Sequence, residues 1–124
     1  MIVAESIAGW RIDRGEREAL LRRFPPRYAN VVADHVTYGR VPQTELPRHE
    51  RAELIGRADD GAGVEAMVVR LGGSHERPTG GTYHITWSLG PGREAIESNA
   101  VIAAQGWRPL DAAASVALEP ATWS

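Results

Sequence analysis

Thr82-Tyr83-His84-Ile85-Thr86-Trp87-Ser88-Leu89 alternates polar and apolar residues without a break. A period of two is the signature of a strand with one buried face. Thr82, His84, Thr86 and Ser88 therefore share one side, and Tyr83, Ile85, Trp87 and Leu89 the other. An exposed strand face ordinarily carries charges and mixed polar groups. This one carries only an imidazole and hydroxyls, groups that move protons and hold anions. A second stretch repeats the pattern: His35-Val36-Thr37-Tyr38 matches His84-Ile85-Thr86-Trp87 as His, β-branched, Thr, aromatic. His35 and Thr37 point one way, and Val36 and Tyr38 the other way into a core.

Outward from these two strands the chain reads as a succession of short elements. Gly9–Ile12 is a strand, and Asp13 with Glu16 three positions on opens a helix that Pro25-Pro26 stops. Val31–Tyr38 is a strand ending at Gly39, and 40–50 is a loop holding two Pro. Ala52–Arg57 and Val64–Leu71 form a hairpin around Asp59-Asp60-Gly61. A Gly- and Pro-containing loop, 72–81, leads into the strand Thr82–Leu89. Ser98 caps a short helix that Gly106 closes, and Leu110–Leu118 is a last strand before a loose tail. The sum is an α+β fold, a mostly antiparallel sheet of about six strands with two short helices, in a single domain over 1–124. The strands bearing the two motifs are expected side by side, with both His and both Thr facing one cleft.

Composition narrows the chemistry. The 124 residues contain no Cys, which removes disulfides, thiolate metal sites and cysteine nucleophiles. All fourteen basic residues are Arg and the net charge is −2, so no broad basic surface for duplex DNA is expected. No apolar run is long enough to cross a bilayer, and Glu5 interrupts the apolar start, so neither a membrane span nor a signal peptide is expected. The expected setting is cytoplasmic. His49 and His75 lie in loops and read as surface residues without carboxylate companions for a metal. Tyr38 and Trp87 read as core, Ser98-Asn99 as a helix cap, and Asp34 as pointing away from His35. Ser88 shares the His84 face but lies on no nucleophile elbow, so a serine hydrolase is excluded.

Two His-x-Thr pairs on neighbouring strands make a four-cornered cage one small anion wide. Two imidazoles can serve as acid and base, while two hydroxyls hold phosphoryl oxygens, without a metal or cofactor. At these residues the chain resembles the 2H phosphoesterase superfamily, whose signature is a pair of His-x-Thr/Ser motifs. Gly81–Gly90, followed by Ser98-Asn99 and Gly106-Trp107, is similar to small RNA-repair-type proteins and to the cyclic phosphodiesterase module of eukaryotic tRNA ligases. The resemblance covers roughly residues 28 to 107. It implies a bilobal α+β fold and a metal-independent opening of a 2′,3′-cyclic phosphate at an RNA terminus or small nucleotide, leaving a 2′-phosphate. His35, Thr37, His84 and Thr86 would be catalytic, with Arg77, Thr82 and Ser88 binding substrate. The two His are 84 − 35 = 49 positions apart, closer than in longer members of the superfamily, so a helix and strand pair is expected to be missing. The alternative is a non-catalytic module that binds phosphorylated RNA ends or a nucleotide, or serves as an accessory subunit beside an RNA ligase or kinase.

Overall fold

The computed structural model describes residues 5–42 and 48–123. The elements run β1 (Glu5–Ile12), α1 (Arg14–Arg23), β2 (Asn30–Val31), β3 (His35–Pro42), β4 (Glu50–Asp59), β5 (Val64–Arg70), β6 (His84–Leu89), α2 (Glu97–Gln105) and β7 (Arg108–Trp123). All seven strands belong to one sheet in the order β2-β6-β5-β4-β7-β1-β3, antiparallel at every pairing. The fold is thus α+β with seven strands instead of six. The two lobes implied by the family resemblance are replaced by this one curled sheet. Among the described residues no helix is long and apolar enough to cross a membrane.

Two apolar clusters sit on opposite faces of the sheet. The larger takes Trp10, Val36, Leu54, Met67, Ile85, Trp87, Val116 and Leu118 from six strands, with Leu20 of α1 packed in. The smaller joins Ala58, Val64, Ala66, Val68 and Leu89 to Val101 and Ile102 of α2. β5 feeds both clusters, Met67 and Val69 to one and Ala66 and Val68 to the other. Burial on both faces explains why Val64–Val69 has no polar alternation beyond Glu65. α1 begins as its sequence demands: Asp13 accepts a hydrogen bond from the Glu16 amide at 3.0 Å. The Glu16 carboxylate does not complete a capping box but accepts from the Ala117 amide, tying the helix to β7.

The strand expected over Val31–Tyr38 is broken. Residues 30–33 run along β6, with the Val32 amide donating to the Trp87 carbonyl and the Ala33 amide to the Thr86 carbonyl, both at 2.9 Å. Ala33 then takes a left-handed φ of 40° and turns the chain away. From His35 onward it pairs with β1. The chain therefore crosses between the two edges of the sheet at 33–35, and β3 runs on through Gly39 to Pro42, where a loop was expected. The remainder of that expected loop, 43–47, lies outside the described residues. The motif strands are consequently not ladder neighbours: β5, β4, β7 and β1 lie between β6 and β3. The curl of the sheet brings them together instead, across a seam.

The loop 72–83 clasps that seam. Arg77 donates to the Thr37 carbonyl at 3.2 Å, and Thr79 donates to the Tyr38 carbonyl. Gly39 makes the clasp possible, because a Cβ there would stand 2.8 Å from Thr79 Cγ2.

Candidate functional site

Register settles which way the two motifs face. On β6, His84 lies opposite Val68 and Thr86 opposite Ala66, so both share the face that α2 covers. Ile85 lies opposite Met67 and joins the larger cluster. On β3, Val36 lies opposite Trp10 in that same cluster, which sends His35 and Thr37 to the other side. The two His-Thr pairs therefore occupy the same outer face on either side of the seam. His35, Thr37, His84 and Thr86 line one cavity of about 540 Å³ together with Arg77, Asn99, Ala95, Ile96, Ile7 and Trp123.

The two imidazoles differ in environment. His84 is only 9% exposed, and its Nδ1 lies 2.8 Å from the Thr82 carbonyl oxygen. A carbonyl can only accept, so Nδ1 carries the proton and Nε2 is the basic nitrogen. Burial is the largest influence on His84 and pushes its pKa below the ordinary value near 6.5. The Thr82 carbonyl opposes that effect, and the positive charges of Arg77 and His35 add to it. His35 is half-buried, with Nδ1 3.2 Å from Asp34 Oδ2. Asp34 lies just outside β3, so strand alternation does not apply to it, and the expectation that it points away is corrected. Burial raises the Asp34 pKa, but hydrogen bonds from Arg14 and His35 outweigh it and leave a stable carboxylate. The His35 ring also packs on Trp123 at 4.8 Å between centroids.

The Thr86 hydroxyl and Arg77 are already engaged. Thr86 Oγ1 donates to the Ala95 carbonyl at 3.2 Å and lies 2.9 Å from Ser98 Oγ. Ser98 is fully buried in the first turn of α2, so it anchors Thr86 and is not the helix cap that the sequence suggested. Arg77 lines the cavity, and three of its five N–H groups bond the Thr37 carbonyl, the Gly80 carbonyl and Asn99 Oδ1. Two N–H groups are left over for a ligand.

Two expected binding residues fall elsewhere. Ser88 is buried and donates to Glu65 at 2.7 Å while accepting from the Tyr28 amide. Its hydroxyl belongs to the core, because the register shift between Glu65 and Ala66 places it beside that carboxylate. Thr82 stands outside the cavity and contributes its carbonyl to His84. His75 is half-buried against Trp107 at 5.4 Å instead of lying on the surface, whereas His49 is exposed. Among the described residues no group of three or more His, Asp or Glu is placed to hold a metal ion.

Trp123, Ile96 and Asp34 complete the site and were missed from sequence. Asp34 is adjacent to His35, which was its only signal. Trp123 was expected in a loose tail, whereas β7 runs through Pro120 to Trp123. Among the described residues, β7 past Leu118 pairs with β1 alone, so Pro120 is tolerated there. Comparisons of the chain with protein-family models, curated proteins and solved structures give no match.

Proposed function

We propose that the chain is a phosphoesterase that opens a 2′,3′-cyclic phosphate at an RNA terminus or small nucleotide in the cytoplasm, by acid–base catalysis between two histidines. The observation that carries this reading is the meeting of both His-Thr pairs in one cavity, on strands that are not hydrogen-bonded neighbours. The 2H phosphoesterase resemblance supports it from the motifs alone.

The environments of the rings suggest a division of labour. His84, held neutral by burial with its proton on Nδ1, presents Nε2 as the base that removes a proton from water. The water oxygen bonds to phosphorus as the bond to one ribose oxygen breaks. His35, with Nδ1–H anchored on Asp34, would act as the imidazolium and give its Nε2 proton to that oxygen as it leaves, becoming neutral. Thr37, the free N–H groups of Arg77 and a reoriented Thr86 would hold the nonbridging oxygens. The product is a ribose phosphomonoester.

A second reading, a module that binds phosphorylated RNA ends or a nucleotide without turnover, has one observation in its favour. Thr86 and Arg77 are tied to the fold, and a ligand must displace part of that bonding before it is held. An RNA ligase or kinase would then be the natural partner. Incubation of the protein with a nucleoside 2′,3′-cyclic phosphate in EDTA decides between them. Stoichiometric binding without product favours the module, and multiple turnovers favour the enzyme.

A further inference from the structure

The cavity is not uniformly polar, and its apolar part has no role in the phosphate chemistry. Its floor, at the seam, is His35, Thr37, His84 and Thr86. On the β3 side the sheet continues through β1 to β7, whose outer face supplies Ile7 and Trp123. Ile7 and Trp123 are direct ladder partners, so they share that face. The next outward pair, Gly9 and Ala121, is small, which leaves the indole of Trp123 room to reach the His35 ring at 4.8 Å. On the β6 side, the turn that leads into α2 supplies Ala95 and Ile96. The arrangement is a slot with a polar floor and an apolar patch on each side, bordered by Arg40 on β3 and Asn99 on α2.

Ile96 is the more informative flank. It is 73% exposed, and it occupies the N-cap of α2 with no side-chain cap hydrogen bond. A large apolar side chain held in water breaks a local rule at the mouth of the candidate site. Such violations concentrate at functional positions.

We propose that Trp123 and Ile7 on one flank and Ile96 on the other form a subsite for the aromatic base of the nucleotide whose phosphate lies on the His-Thr floor. The proposal rests on the phosphoesterase reading and adds to it the part of the substrate that is recognised. A cavity of about 540 Å³ falls within the range that accommodates one small ligand. A flat apolar ring suits an indole face opposed by a branched aliphatic chain, and it would cover Ile96 on binding. A cyclic phosphate without a base would reach the same floor and leave both flanks in water.

The test compares two substrates on the intact chain: a nucleoside 2′,3′-cyclic phosphate, and methyl ribofuranoside 2′,3′-cyclic phosphate, which carries a methoxy group in place of the base. The base is expected to raise kcat/KM at least tenfold, chiefly through KM. Ile96→Ser should shrink that advantage at least threefold, and its exposure means the fold tolerates the change. Trp123→Leu, read as the same ratio, checks the opposite flank. Equal kcat/KM for the two substrates, or a ratio unmoved by both variants, overturns the subsite while leaving the phosphoesterase reading intact. If neither substrate is turned over, that reading fails, and calorimetry with the corresponding 2′-monophosphates judges the subsite separately. At least tenfold tighter binding of the nucleotide, weakened by Ile96→Ser, supports it, and equal binding overturns it.

Discussion

At the scale of single residues, the two histidines carry the sharpest expectations. Replacing either His35 or His84 with Ala should lower turnover of a cyclic nucleotide by about two to four orders of magnitude, the usual consequence of losing one proton-transfer group. His49→Ala should leave turnover unchanged, since that side chain is exposed and does not line the cavity. Steady-state rates of the three variants in EDTA check this, and activity that survives both seam substitutions ends the mechanism. His84 also sets a pH dependence. Its pKa is depressed in the folded chain, so the unfolded chain takes up a proton first as pH falls below about 6.5. His84 therefore contributes stability that is present above that pH and is lost as pH falls toward the folded pKa. Melting temperatures of wild type and His84→Gln between pH 7.5 and 5 should diverge, with wild type losing more. The acid limb of kcat/KM should fall below pH 6.5 for the same reason. The His-Thr pairs were legible because strand alternation is a local rule. The partners of Thr86 and Ser88 were not, because Ser98 and Glu65 come from elements whose docking no local pattern encodes.

At the scale of elements, legibility followed how completely each strand obeys alternation. β6 was readable from His84 to Trp87, but the register shift opposite its end sends Ser88 to Glu65 and Leu89 to the smaller cluster, against the expected alternation. The β2–β3 break was not, because the turn at Ala33 depends on backbone bonds to β6 and not on a Gly or Pro. Gly39 gave a misleading signal. It reads as the end of a strand, but it is the place where the 72–83 loop crosses β3, with φ of +144° and Thr79 against its Cα. Gly39→Ala places a side chain in both a strained conformation and an occupied space. The expected loss is about 1–3 kcal/mol, measured by urea denaturation. Because the clasp positions Arg77 and the Thr37 backbone, cyclic-nucleotide affinity should weaken as well. A variant with unchanged stability and unchanged affinity would show that the loop does not hold the seam.

At the scale of the whole molecule, the sheet must be held curled for the two motifs to meet, and a buried carboxylate ties the region next to the seam. Glu65 is fully buried on β5. It accepts from Ser88 on β6 at 2.7 Å and from the Arg27 amide, within the α1–β2 connection, at 3.0 Å. Arg57 on β4 approaches its other oxygen at 3.3 Å, and Arg27 at 3.7 Å. Neither of these contacts has hydrogen-bond geometry, and the Arg57 Nε and Glu65 Oε2 atoms are both buried without another partner. A buried charge pair of this kind gains little over an apolar replacement, yet removing one member leaves the other uncompensated. Glu65→Leu alone should therefore cost about 3–5 kcal/mol in urea denaturation. Adding Arg57→Met removes the stranded guanidinium, and the double variant should recover at least about 1 kcal/mol relative to Glu65→Leu. Purely additive losses would mean that Arg57 does not feel Glu65. Cyclic-nucleotide turnover supplies the link to function. Glu65 touches nothing in the cavity, so any fall in turnover of folded Glu65→Leu/Arg57→Met must come through the path of β2 and β6. Ala33 and Thr86 on that path share a hydrogen bond two residues before His35.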